Sequence, residues 1–434
     1  MMSWAARFRL LQHIKASLWI IPLIGLLLGV LLAEWAAGVD DAAWWPDSWR
    51  YSATTASSVL SSVVGAMVAL LGFVVTIGVL VVQQATGTLS PRYMRLWYRD
   101  RLQKAVLATF AGTFAYAFSL LRRIESDSVP DLGVALSGLA VSVSLVLLLI
   151  YLNRFTHNLR PVAIADLVGR LGQKVLIRAT ERIHHSSAHE EASPSSAGPV
   201  ALIRSERGGV IQAFDAAGLI ATAVRHDCVL VLVHQVGDFV PPGTTLVEAH
   251  GRAPAPDPRR VTGLVALGTE RTIEQDPAFA LRVLVDIAIR ALSPAVNDPT
   301  TAVQVLNHID TFLHVVGRAG VHGRYVLADG EGRPRLVVEG RGWENYLELG
   351  VTEIREYGAT SLQVCRRLRA LLDDLLATLP AERLPAVRAE LALLDASVHR
   401  AFTDPARRAA ARTPDRQGLG GGARAGEEPS RRWP

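Results

Sequence analysis

The chain has 434 residues, half of them hydrophobic and 20 % charged, with a mean hydropathy of +0.25. That composition excludes a disordered chain and exceeds an ordinary soluble enzyme, so part of the chain belongs in lipid. The formal net charge is +5, yet residues 1–160 hold 13 basic and 8 acidic side chains and the rest 32 of each. Because the excess sits in the apolar N-terminal part, no nucleic-acid partner is expected despite a pI near 9.4. Arg supplies 42 of the 45 cations, which alongside abundant Ala and Gly weakens any reading of arginine as a phosphate ligand. Cys228 and Cys365 fit no paired motif, so neither a disulfide, nor zinc, nor any other cofactor is expected.

Four apolar runs, at about 18–37, 58–82, 105–121 and 132–152, are each long enough at 1.5 Å per residue to cross most or all of a hydrocarbon layer of about 30 Å. Each must be helical, since lipid offers no partner to an open backbone N–H or C=O. The first follows Arg7, Arg9 and Lys15 as a signal peptide would, but its length and the three spans after it favour a retained helix. Arg7, Arg9, Lys15, Arg92, Arg95, Arg99, Arg101, Lys104, Arg154 and Arg160 collect on one side of the four spans, and only Arg50, Arg122 and Arg123 on the other. The positive-inside rule then places both termini in the cytoplasm, with Trp44, Trp45 and Trp49 in the outer interfacial belt and Trp97 and Tyr98 in the inner one.

In the second span Ser58, Ser61, Gly65, Ala69, Gly72 and Thr76 recur at spacings of 3 or 4 and share one helical face, which Gln83 continues. Such a stripe is either a packing seam, where small residues let helices approach, or the weakly polar lining of a conduit at the centre of an oligomer. Ala105, Ala108, Gly112, Ala115 and Ser119 give the third span a similar face, so the two helices are expected to pack together. No ionisable side chain lies deep in any span, which argues against a pump or an ion-coupled carrier. The loop QQATGTLSPRYMRLWYRDRLQK carries five positive charges and reads as an orienting, headgroup-contacting segment.

Beyond Arg160 the pattern becomes that of a cytosolic α+β domain. A linker helix and polar loop occupy 161–198. His184, His185, His189 and Glu190 could bind a metal, but a Ser/Ala/Pro-rich loop gives the ligands no fixed frame, and a solvated tract is expected. Residues 199–250 alternate as short strands around a helical DAAGLIATAV and predict a small β-barrel or sandwich. The run from Gly237 to Leu246 is similar to the turn of lipoyl and biotinyl carrier domains, but no lysine follows Lys174, which excludes such an attachment. A mainly helical part spans 261–402. Asp276-Pro277 and Asp298-Pro299 are capped helix starts, a hairpin lies near 323–339 around Asp329-Gly330, and leucines from Leu362 to Leu376 suit a bundle or a subunit contact. Between the two helix starts ALSPAVNDPTTA is a tight corner bearing Ser293, Asn297, Asp298, Thr300 and Thr301, either a structural turn or a receptor for an anion or ligand headgroup. Residues 403–434, rich in Arg, Gly and Pro, are expected to be disordered.

Ser90-Pro91-Arg92, Arg99-Asp100-Arg101 and the stretch QDPAFALRVLVDIAIRALSPAVNDPTTA at 275–302 together resemble the membrane proteins of domain-of-unknown-function family 2254. The resemblance implies a bacterial inner-membrane protein with N-terminal spans and a soluble C-terminal portion, and no catalytic residue or ligand. The expected fold is a four-helix transmembrane bundle at 1–160 followed by the α+β domain, in contact with the lipid bilayer and oligomeric. No GxSxG, Walker, HExxH or GxGxxG motif supports an enzyme. Two functions remain open: a channel-like oligomer with a cytosolic regulatory domain, or a membrane-anchored scaffold or ligand sensor.

Overall fold

The computed structural model describes residues 2–40, 50–88, 92, 99–125, 129–158, 160–184, 199–251 and 254–419. They form two compact units, Leu11–Arg160 and Met1–Leu10 with Pro161–Pro434. Trp44, Trp45, Trp49, Trp97, Tyr98, most of the basic loop, and the tract from His185 to Glu190 lie outside the described residues.

After a short helix α1 (Trp4–Ala16), four helices are long and apolar enough to cross a membrane: α2 (Ile20–Asp40), α3 (Ala53–Thr88), α4 (Arg101–Leu121) and α5 (Asp131–Asn158). The chain is built as an integral membrane protein with four candidate spans. The 36 residues of α3 rise about 54 Å, so the helix outruns its apolar run at both ends. Tyr51 N donates to Asp131 Oδ1 at 2.8 Å, placing the starts of α3 and α5 at one end. An Arg123–Glu34 ion pair joins the ends of α4 and α2, so the four helices alternate in direction.

The hub of this unit is α4, on which α2, α3 and α5 all pack. Its contact with α2 is backbone against backbone: a Cβ added to Gly25 would stand 2.9 Å from Ala108 Cα, and one added to Gly112 would stand 2.9 Å from the Gly25 carbonyl oxygen. This is the close approach that small residues permit where no hydrophobic force drives helices together. The small face of α4 therefore meets α2, whereas the sequence pairs it with the stripe on α3. Instead α3 presents Ala56, Leu60, Val63, Met67, Val74, Ile77 and Val81 to the core it shares with α4 and α5. Polar contacts are few, with Tyr116 OH donating to the Gly133 carbonyl (3.1 Å) and Thr113 Oγ1 lying 3.4 Å from Ser144 Oγ.

The second unit is α+β. Helix α6 (Pro161–His184) is part of it, since Ile164, Ala165, Val168 and Leu176 are buried and Gly172 lies so close to Ala280 and Phe312 that a Cβ would stand 2.5 Å and 2.7 Å from them. Strands β1 (Ala201–Arg204), β5 (Thr245–Gly251), β3 (Cys228–Leu232), β8 (Pro334–Glu339) and β7 (Arg324–Ala328) make a five-stranded sheet in that order, parallel only between β3 and β8. A three-stranded antiparallel sheet runs β4 (Phe239–Val240), β2 (Gly209–Phe214) and β6 (Val265–Gly268). Both sheets and α7 (Ala216–Arg225) share one core around Ile211, Leu219, Leu230, Leu246 and Leu336. No closed barrel forms, because the free edge of β3 is taken by β8, which arrives from the hairpin some hundred residues later. A short helix α8 (Pro258–Thr262), capped by Asp257, follows β5 and precedes β6.

Helices α9 (Pro277–Ala291), α10 (Pro299–Arg318), α11 (Trp343–Gly358), α12 (Leu362–Thr378) and α13 (Leu384–Ala401) pack on one another, and α9 and α10 also pack on α6. Leu368, Leu371, Leu372 and Leu375 are buried inside this bundle. The region from Thr403, expected to be disordered, is folded as far as the described residues reach: Asp404 caps a helix α14 (Pro405–Arg412), and Arg412 and Arg416 pair with Asp395 and Asp374. Arg366 ties the segment down, its Nε donating to the Thr413 carbonyl (3.1 Å) and its carbonyl accepting from Asp415 N (3.2 Å), while Ala411 is buried.

The two kinds of glycine in the membrane unit separate in a stability measurement. Gly112→Leu is expected to lower unfolding stability in detergent by about 1–3 kcal/mol through overpacking. Gly65→Leu, with nothing within 4 Å of an added Cβ, is expected to leave the unfolding midpoint of the dispersed chain unchanged. Equal losses would contradict the seam.

Candidate functional site on the outward face of the second span

Ser58, Ser61, Gly65, Ala69, Gly72, Thr76 and Gln83 are all exposed on α3. At 100° per residue they are centred almost opposite the buried row of Leu60, Met67, Val74 and Val81. The stripe is brought together as the spacing predicts, but it faces away from the other spans. Thr76 Oγ1 donates to the Gly72 carbonyl at 2.9 Å and Ser62 Oγ to the Ser58 carbonyl at 2.8 Å, so both hydroxyls are satisfied on their own helix. The face is therefore smooth and only weakly polar. The outward faces of α2 and α5 contrast with it, carrying Leu23, Ile24, Leu27 and Leu31, and Leu139, Val146, Leu149 and Ile150.

On another side of the hub, α2, α4 and α5 enclose an apolar groove of about 600 Å³ floored by Gly25, Gly29 and Gly112 and walled by Leu28, Leu32 and Leu139. Sequence reading missed it, because its signal is the pair Gly25 and Gly29 read together with Ala108 and Gly112, on helices that are not consecutive.

The corner between α9 and α10 gathers its five polar residues, and the side chains of Ser293, Asp298 and Thr301 are taken up by the turn. Ser293 Oγ donates to the Arg290 carbonyl (2.7 Å). Asn297, in the left-handed region at φ +49°, donates its N–H to the Ser293 carbonyl (2.8 Å). Asp298 N donates to the Ala291 carbonyl (2.7 Å), while the Asp298 carboxylate accepts from Thr301 N (3.0 Å) and Thr301 Oγ1 (2.5 Å). Thr300 is exposed and follows Pro299, which has no N–H to offer.

The neighbouring polar residues of 275–302 behave similarly. Gln275 bonds both backbone groups of Phe214, at 3.0 Å and 3.1 Å. Asp276 caps Phe279 N and accepts from Arg271 at 2.6 Å and 2.9 Å, and burial pushes its carboxyl up against the pull of Arg271. Gly237, at φ +98°, passes so close over this pair that a Cβ would stand 2.5 Å from Arg271 Nη2. Arg282 bonds Asp286 (2.7 Å) and pairs with Glu353 of α11. Among the described residues no group of three or more His, Cys, Asp or Glu is placed to hold a metal ion.

The family of predicted membrane proteins DUF2254 matches residues 15–374. The chain belongs to that family. Uncharacterized protein Rv1290c of Mycobacterium tuberculosis and Uncharacterized protein Mb1321c of Mycobacterium bovis are each 29 % identical to it over 419 residues, covering 93 % of this chain and 80 % of theirs. No solved structure matches. What the family adds is the membrane assignment; the site has to be argued from geometry.

A polar network on the helical side gives a pH signature. Arg367 of α12 reaches Asn307 (2.8 Å) and Asp310 (2.7 Å) of α10, and His314 Nδ1 lies 2.9 Å from Asp310. The Asp310 hydrogen bond holds the His314 imidazole above its ordinary value. Against its own burial, Asp310 is held below the usual carboxylate range by His314 and Arg367. A raised histidine stabilises fully below its unfolded value of about 6.5 and loses that contribution as pH rises through the folded value. The stability gap between wild type and His314→Ala is therefore expected to be larger at pH 6 than at pH 9 in thermal melts. A pH-independent gap would contradict the network. His308, which burial lowers, is present in both proteins and cancels.

Proposed function

We propose that the protein is a homo-oligomer of the bacterial inner membrane whose copies meet along α3, and that the joined stripes line a weakly polar, channel-like path. The observation that carries this reading is the outward aim of Ser58, Ser61, Gly65, Ala69, Gly72 and Thr76, directly opposite the buried face of their own helix. A helix that met only acyl chains there would gain nothing from glycine and serine, whereas a second helix can approach such a face closely. Copies arranged around an axis would present hydroxyls and backbone carbonyls to it, with the valines between them as apolar constrictions. The basic side chains, ten against three, support cytoplasmic termini and a cytoplasmic second unit that regulates the path. The absence of ionisable groups from the depth of the spans supports passive permeation over pumping, and the reading is non-catalytic.

Cysteine chemistry tests the assembly. Cys228 and Cys365 are buried, and burial pushes the Cys365 thiol up to about 11, so neither competes for oxidant. Ala69→Cys in membranes is expected to form disulfide-linked dimers, and Val146→Cys on the outward face of α5 is not. In liposomes Gly72→Leu is expected to reduce solute flux by at least tenfold while leaving the monomer folded. Cross-linking without any wild-type flux would favour the anchored scaffold or sensor; absence of cross-linking at Ala69 would remove the α3 interface.

A further inference from the structure

The end of α4 that carries the basic residues holds a cation in an unusual setting. Lys104 lies in the first turn of a membrane-spanning helix, where a lysine ordinarily extends its ammonium to the headgroups, yet it is only 4 % exposed. Its Nζ donates to the Lys15 carbonyl at the end of α1 (2.5 Å), which uses one of three N–H groups. Arg99 is held against the same helix by a hydrogen bond to Gln12 Oε1, one turn earlier on α1, and lies close enough to act on Lys104 electrostatically. Lys15 itself is exposed, and its side chain starts from the same turn of α1.

Lys104 has no acidic partner among the described residues. Asp100 is engaged as the cap of α4, accepting from Leu102 N at 2.9 Å, and its other cation is Arg154 at 3.8 Å. Among the described residues no carboxylate pairs with Lys104. Bringing like charges together around a buried ammonium is unfavourable unless an anion joins them. At the depth where a span leaves the hydrocarbon, the anion at hand is the phosphate of a phospholipid, and basic pockets between helices on the cytoplasmic side suit such headgroups.

We propose that the junction where the end of α1 meets the start of α4 is a binding site for one anionic phospholipid, its phosphate held by Lys104 and Lys15 with Arg99 alongside. A headgroup of net negative charge is preferred, because the amine of a zwitterionic one would be repelled by the same three cations. The site is independent of the α3 interface and stands whether or not copies assemble.

The test uses the full chain purified in mild detergent, titrated with phosphatidylglycerol, phosphatidylcholine or inorganic phosphate, with bound lipid counted by native mass spectrometry. Wild type is expected to retain one phosphatidylglycerol per chain in preference to phosphatidylcholine. Lys104→Gln and Lys15→Gln are each expected to weaken retention about fivefold, as loss of one cation near an anionic headgroup should. Lys104→Arg is expected to retain it, and Arg101→Gln, which removes an exposed neighbouring charge, is expected to change it less than twofold. Should Lys104→Gln fail to fold, Lys15→Gln decides, since its side chain is exposed. Equal retention of the two lipids, equal loss in Arg101→Gln, no loss in Lys15→Gln, or displacement of the lipid by inorganic phosphate would each overturn the proposal.

Discussion

Glycine at positions 25 and 29 removes the side chains that would otherwise separate α2 from α4, so the peptide groups of two parallel rods lie in direct contact. In a hydrocarbon solvent this contact matters more than area, because lipid tails are as apolar as any leucine and association must come from van der Waals packing. Once α4 is pinned in this way, its remaining circumference is divided between α3 and α5, and both present large aliphatic residues to it. The loss of one side-chain layer at a single seam thus decides which face every other span turns inward.

The consequence for α3 runs against its own sequence. Its small face could have made a seam as close as that between α2 and α4, but the hub's small face is already occupied, and α3 buries Leu60, Met67 and Val74 instead. What remains outside is a surface that lipid does not require. On α2 and α5 the outside is mainly leucine, isoleucine and valine, the ordinary choice for contact with acyl chains; on α3 exposed Val68, Val75, Val79, Phe73 and Leu80 flank a continuous stripe of serine, glycine, alanine and threonine. That difference between neighbouring helices in one unit, under one solvent, is a stronger argument for a protein partner than the periodicity of the stripe taken alone.

Much of this was legible in the residues. The four spans follow from length and apolarity, and the Asp-Pro pairs at 276–277 and 298–299 start helices because the capping chemistry is local. The stripe was also legible as a face, since 3.6-residue periodicity needs no tertiary knowledge. Its direction was not, because which small face meets which depends on two glycines in a helix that is not its neighbour in sequence. The strands at 199–250 read as a small barrel or sandwich for the same reason. Their alternation is local, but the strand that occupies the edge of β3 comes from Pro334–Glu339, and parallel pairing over such a separation leaves no mark in either segment. The tail after Thr403 read as disordered because its composition lacks apolar area; Asp374 and Asp395, which hold it through Arg416 and Arg412, lie on other helices.

The arginine content resolves in the same way. Arg335, Arg355, Arg366 and Arg367 are each at most 6 % exposed, and their guanidinium groups reach carboxylates, carbonyls and side-chain oxygens on other elements. A planar five-donor group can satisfy several partners at once without giving up its charge, which a buried lysine does less readily. In the second unit, where basic and acidic residues are equal in number, arginine therefore acts as an internal tie. The buried lysine in the membrane unit stands apart from that pattern, since among the described residues Lys104 meets the Lys15 carbonyl and no acid. Because Gln275, Asp276, Arg282, Asp286, Ser293, Asp298 and Thr301 spend their side chains on caps, turns and ion pairs, the most distinctive sequence in the chain builds the scaffold. Among the described residues most of the exposed large apolar side chains are on the membrane helices, and it is there that the working contacts of this protein are to be sought.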